Sequence, residues 1–154
     1  MNNEVSLQCQ FVNGSKEESG KALVDFREQG YSARLIDCAF LQSEQAIFAT
    51  FAAALQFPWY FGHNWHAFDE SIGDLADEDL GNGLGLVFMN AELLDPAKPS
   101  FKSLWQSLLY LREDWAKFED GPALAVVVQY DGEMSADELT AWARAQVNLG
   151  DSWV

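Results

Sequence analysis

Two stretches of this sequence, Leu84-Gly85-Leu86-Val87-Phe88-Met89 and Ala123 to Val128, carry no polar side chain. A strand with one face in water alternates apolar and polar residues, whereas one covered on both faces reads as a continuous apolar run. Two such runs therefore predict the middle of a sheet with helices packed over both sides. The surroundings agree. Val5 to Val12 places Val5, Leu7, Cys9 and Phe11 on one side and stops at Asn13-Gly14, as a strand does. Ser19 to Gln29 has Ala22, Leu23 and Phe26 at helical spacing and ends at Gly30. Ser32 to Ala39 reads as a strand again, completing a βαβ unit. Ser43 is placed to cap a helix, with Ala46 where a full capping box has Glu. Ile47, Phe48, Phe51, Ala54 and Leu55 continue that helix until Pro58 stops it. A second helix runs from about Asn64 to Leu75. Beyond Pro96 and Pro99, Ser100 is expected to cap a long helix through Phe118, and Ser135 a last one over Ala136 to Val147. The fold class expected is α/β: a single domain of about four mostly parallel strands with helices packed over the sheet.

A chain of 154 residues buries enough surface to fold without metal or disulfide. With 49% apolar residues, including 6 Trp and 11 Phe, it is far from the composition of a disordered chain. Cys9 and Cys38 sit among strand-like apolar residues and are expected to be free, buried thiols. The start, Met1-Asn2-Asn3-Glu4, lacks the features of a signal peptide, and Ala46 to Phe57 is too short to span a bilayer. A soluble, cytoplasmic protein is expected, with no cofactor; no oligomeric state is set.

Charge narrows the partners. Nine Lys and Arg against 24 Asp and Glu give a net charge of −15. Such a polyanion repels phosphate backbones and anionic lipid, which argues against nucleic acid and membrane surfaces and for a basic protein. Ten acids and no Lys or Arg fall between Arg34 and Lys98, and six of the ten lie within Asp69 to Asp79. The segment Phe57-Pro58-Trp59-Tyr60-Phe61-Gly62-His63-Asn64 leads into them. Gly62 suits a tight turn and Asn64 a helix cap. At 100° per residue, Trp65, Phe68, Ile72 and Leu75 share one stripe about 80° wide, a core stripe. His66, Asp69, Glu70 and Gly73 fall on the adjoining face, expected to be exposed. Gly73 inside a helix costs roughly 1 kcal/mol against Ala, so either something approaches the backbone there or the helix frays early. The acidic run is either a solvated face or a protein-binding surface. The aromatic entry loop favours the second.

Competing chemistry is thin. His63, His66 and Glu70 stand at i, i+3 and i+7 and define a metal-binding alternative. Gly81-Asn82-Gly83-Leu84-Gly85 leads into a strand and not from a strand into a helix, so it is a turn and not a phosphate loop. No serine or cysteine stands in a nucleophile motif, and an enzyme is not expected.

The segment Pro58 to Leu75 resembles the signature of the barstar family of intracellular ribonuclease inhibitors. Pro58, Tyr60, Phe61, Gly62, Asn64, Trp65 and Ala67 match the family pattern, and Glu70 stands where the family has an acid. The order of strands and helices agrees from about Ser32 to Tyr130. The resemblance implies one barstar-like domain with its core at 32–130, a strand–helix extension at 1–31 and a C-terminal helix at 131–154. It also implies substrate mimicry, in which helix carboxylates occupy a cleft built to hold RNA phosphates. Carried over by position, the partner-binding residues would be Tyr60, Gly62, Asn64, Trp65, His66, Asp69, Glu70, Gly73 and Asp74, with Glu70 entering the active site and Glu113 an additional acid. Two positions depart: His66 replaces the usual Asp, and Asp69 stands where the founding member has an aromatic. The implied partner is a basic nuclease, or alternatively a different toxin to which this chain is the immunity protein or antitoxin.

Overall fold

The structure is a computed structural model that describes residues 8–95 and 97–133. Its elements, in chain order, are β1 (Gln8–Asn13), α1 (Glu17–Glu28), β2 (Tyr31–Asp37), α2 (Glu44–Leu55), α3 (Trp65–Gly73), β3 (Gly83–Met89), α4 (Pro99–Trp115) and β4 (Ala123–Tyr130). Short 3₁₀ turns follow β2, α3 and β3. The expected helix after Ser135 and residues Val5 to Leu7 of the first strand lie outside the described residues.

All four strands are parallel, in the order β1-β4-β3-β2. The two continuous apolar runs occupy the centre, with Leu84 beside Leu124 and Leu86 beside Val126. The β1–α1–β2 unit joins the two opposite edges of the sheet, so α1 crosses over the central strands. Crossovers between parallel strands are right-handed, so the direction of travel fixes the face on which the helix lies. β1 to β2 runs one way along the sheet, whereas β2 to β3 and β3 to β4 run the other way. One face accordingly holds α1, and the opposite face holds α2, α3 and α4.

Strand alternation sorts the core in the same way. Ile36, Leu84, Leu86, Phe88, Leu124, Val126 and Val128 face the large three-helix core, together with Phe48, Phe51, Phe68, Phe101 and Trp105. Ala33, Val87, Ala125 and Val127 face Phe26 of α1. Gly85 explains itself here, because a β-carbon at that position would stand 2.6 Å from the Phe26 ring. Its absence lets α1 lie directly on the sheet. Fully buried Gln129 ties the strand ends together: its Oε1 accepts from Ser19 Oγ (3.1 Å) and the Asn90 N–H (2.8 Å), and its Nε2 donates to the Gly14 carbonyl (2.7 Å). A buried amide is tolerable only when satisfied in this way.

Several boundaries differ from the sequence reading. Pro99 opens α4 at its first position, where its fixed φ and missing N–H cost nothing. Lys98 is the capping residue and makes no side-chain cap bond, so Ser100 lies inside the first turn and is not the cap. That helix ends at Trp115, not Phe118, since Trp115 is buried while Phe118 is exposed. β2 ends at Asp37, whose carboxylate accepts from the Ala39 N–H (3.0 Å) and starts a 3₁₀ turn. Both cysteines are free thiols. Burial pushes the half-buried Cys9 up to about 12, and burial with nearby Asp37 and Glu92 raises Cys38 further, so neither is a ready nucleophile at neutral pH. Among the described residues no helix is long and apolar enough to cross a membrane.

Candidate functional site

The α2–α3 corner is built on aromatic packing. Phe57 and Phe61 are 5.0 Å apart between ring centroids, Phe57 and Phe68 5.8 Å, and Phe51 and Phe68 5.3 Å. The Phe61 N–H donates to the Pro58 carbonyl (3.0 Å), closing a tight turn over Pro58–Phe61. That turn throws the two intervening side chains outward. Trp59 is 95% exposed and Tyr60 69% exposed, their rings 5.7 Å apart and perpendicular. Rings that large are normally withdrawn from water unless something else covers them.

Asn64 then starts α3. Its Oδ1 accepts from the Ala67 N–H (2.8 Å) and its Nδ2 donates to the Gly62 carbonyl (3.1 Å). Gly62 has a role other than the one its sequence position suggests. The left-handed residue is His63 (φ 49°), whereas at Gly62 a β-carbon would press on the capping Asn64 Nδ2 at 3.2 Å, so glycine leaves that side chain its room. Trp65 is half-buried against Phe48 and Phe68, and its indole N–H donates to Glu44 Oε2 (2.9 Å). It is therefore an anchor between α2 and α3 more than a presented ring.

The stripe Phe68, Ile72 and Leu75 is buried as its spacing requires. On the adjoining face His66 and Glu70 are exposed, with Nε2 and Oε1 3.2 Å apart. Asp69 departs from expectation: it is half-buried, and its Oδ1 is enclosed with no hydrogen-bond partner. The cause is α4, which runs alongside and places Ser103, Gln106, Ser107 and Tyr110 around Asp69 and Trp65. None of the described residues approaches Gly73 closely, since a β-carbon there would meet nothing within 4 Å. The α-helix simply ends at Gly73, short of Leu75, and becomes a 3₁₀ turn over Asp74–Asp77. The exposed Asp74, Asp77, Glu78 and Asp79 continue the acidic run.

Among the described residues no Lys or Arg stands within ion-pair distance of an acid from Asp69 to Asp79, and His66 is the single basic group that does. The residue missed from sequence is Asp114. It lines the hollow of about 350 Å³ that also holds His66, Asp69, Glu70, Gly73, Asp74 and Tyr110, whereas Glu113 does not line it. The spacing of Tyr110 and Asp114, four apart on one helix, was the available signal. The three groups of the metal alternative separate: the His63 ring packs on Phe61 (4.9 Å) and Phe48 (6.4 Å), away from the His66–Glu70 pair. No group of three His, Cys, Asp or Glu among the described residues could hold a metal ion.

Comparison with known proteins gives a family and a fold. The family described as Barstar (barnase inhibitor) matches residues 31–129, more than half of the chain. No curated protein matches the sequence. Among solved structures, chains from Drosophila ORC bound to Cdc6 with AT-rich DNA and with GC-rich DNA each superpose at a TM-score of 0.55 and 10% identity. The superposition covers 96% of this chain and 47% of the other, so this chain spans about half the length of those it resembles. At that identity the likeness is one of fold alone.

Proposed function

This chain belongs to the barstar family, and from that premise we propose that it is an inhibitor, not an enzyme, that seats the Trp59–Tyr60 turn and the Glu70 face of α3 on a basic nuclease. The observation that carries this reading is a turn presenting two exposed aromatic rings that leads directly into a helix whose row of carboxylates no Lys or Arg of the described residues neutralises. A nuclease holds RNA with cations, and rigidly held carboxylates can take the place of phosphate there. The rings supply desolvated contact area beside them, the pairing in which interfaces concentrate their energy. Asn64, Gly62 and Trp65 serve by fixing the loop and helix, while Tyr60, His66, Asp69, Glu70, Gly73 and Asp74 form the contact face.

The same surface would serve an immunity protein or antitoxin acting on another cationic toxin. His66, an imidazole where the family usually has Asp, favours a partner that differs in detail from the family's usual target.

The test is inhibition and binding of a basic ribonuclease, barnase first. Glu70→Ala and Trp59→Ala should each weaken binding by about 2–4 kcal/mol while the thermal midpoint stays unchanged. Raising salt should slow association with little effect on dissociation. Undiminished binding by the Glu70→Ala/Trp59→Ala double variant would remove this face from the mechanism.

A further inference from the structure

Resting on the inhibitor reading above, we propose that His66 is a proton-operated mask on Glu70, so that the chain grips a cationic partner more tightly as pH rises through the imidazole range. The two side chains stand one turn apart on α3 with Nε2 and Oε1 3.2 Å apart, and both are open to solvent at 86% and 67%. When protonated, the imidazolium holds the carboxylate in a charge-assisted hydrogen bond. A partner cation must then displace His66 from Glu70 while approaching a second positive charge. Loss of one proton removes the second positive charge and weakens the hydrogen bond to that of a neutral donor.

The hollow around the pair is lined by Asp69 and Asp74 from the α3 side and by Tyr110 and Asp114 from α4. Lys117, in the turn that follows α4, stands 3.9 Å from Asp114. Carboxylates ordinarily titrate near pH 4 and phenols near pH 10, whereas imidazole changes charge between about pH 5 and 8. Of the kinds of group lining the hollow, only the imidazole switches in the neutral range. The mask is also light enough to be displaced. His66 precedes Glu70, so the cation lies toward the helix N-terminus and the anion toward its C-terminus, the order that the helix dipole disfavours.

Two measurements test this. In the free protein, the side-chain carboxyl carbon resonance of Glu70, followed by NMR from pH 5.5 to 7.5, should move as the imidazole titrates and should not move in His66→Gln. A Glu70 resonance that ignores this range in the wild type overturns the proposal whatever any partner does. With barnase as the probe at constant ionic strength, the ratio of wild-type to His66→Gln Kd cancels the partner's own titrations. It should fall from about twofold at pH 5.5 toward one at pH 7.5, while His63→Gln follows the wild type throughout. A ratio that is flat with pH overturns the mask and leaves the inhibitor reading standing. Failure of every variant to bind at every pH overturns the inhibitor reading and the mask with it.

Discussion

Within five consecutive residues the chain makes two opposite uses of aromatic rings. Phe57 and Phe61 turn inward and pack on Phe48 and Phe68, while Trp59 and Tyr60 between them stand in water. The inward pair is driven by burial, worth about 1.5–3 kcal/mol for a fully withdrawn ring such as Phe61 and less for the half-buried Phe57. The outward pair forgoes that gain, and the Pro58–Phe61 turn keeps it from collapsing onto the surface. The lesson is that the core under the corner builds the platform, and the exposed rings and carboxylates are what the platform presents. Helix α3 repeats the division along its length, with Phe68 and Ile72 beneath and His66 and Glu70 above.

That division can be broken from either side. The largest effect should come from beneath: Phe68→Ala removes a fully buried ring and should cost about 3–5 kcal/mol of folding stability, whereas Trp59→Ala should change it by less than about 0.5 kcal/mol. Chemical denaturation of both variants checks this, and equal losses would dissolve the distinction between platform and presented surface. At the joint between them, Asn64→Ala removes the cap of α3 and should cost about 1 kcal/mol. Because the cap also positions the loop, partner affinity should fall further than stability alone accounts for. The smallest effect sharpens the comparison. Gly73→Ala places a methyl in open space at helical dihedrals and should stabilise the fold by about 0.4–1 kcal/mol. If Gly73 lies under the partner, the same variant should bind more weakly, which calorimetry of the complex would show.

The fold was largely legible because it rests on patterns the chain repeats locally. Continuous apolar runs named the central strands, the Ser43 and Asn64 caps placed two helix starts, and period-two and 3.6-residue spacings sorted buried from exposed. The start of α4 was misplaced because Ser100 offers a cap chemistry that Pro99 makes unnecessary. At the site, the spacing of Phe68 and Ile72 correctly left His66 and Glu70 outside. It could not show that α4 would enclose Asp69 and bring up Tyr110 and Asp114, because those contacts join residues about forty apart along the chain.

The sequence by itself thus determined which segments become strands and helices, which stripe of each is apolar, and where the negative charge is concentrated. These follow from spacing and composition, which act within a few residues. Only the tertiary structure decided that β1 and β2 lie at opposite edges, that the three later helices share one face, and that Trp65 is bound to Glu44 and so anchors the corner it seemed free to offer. Those outcomes depend on crossover handedness and on packing between distant elements, which exist only once the chain has closed on itself.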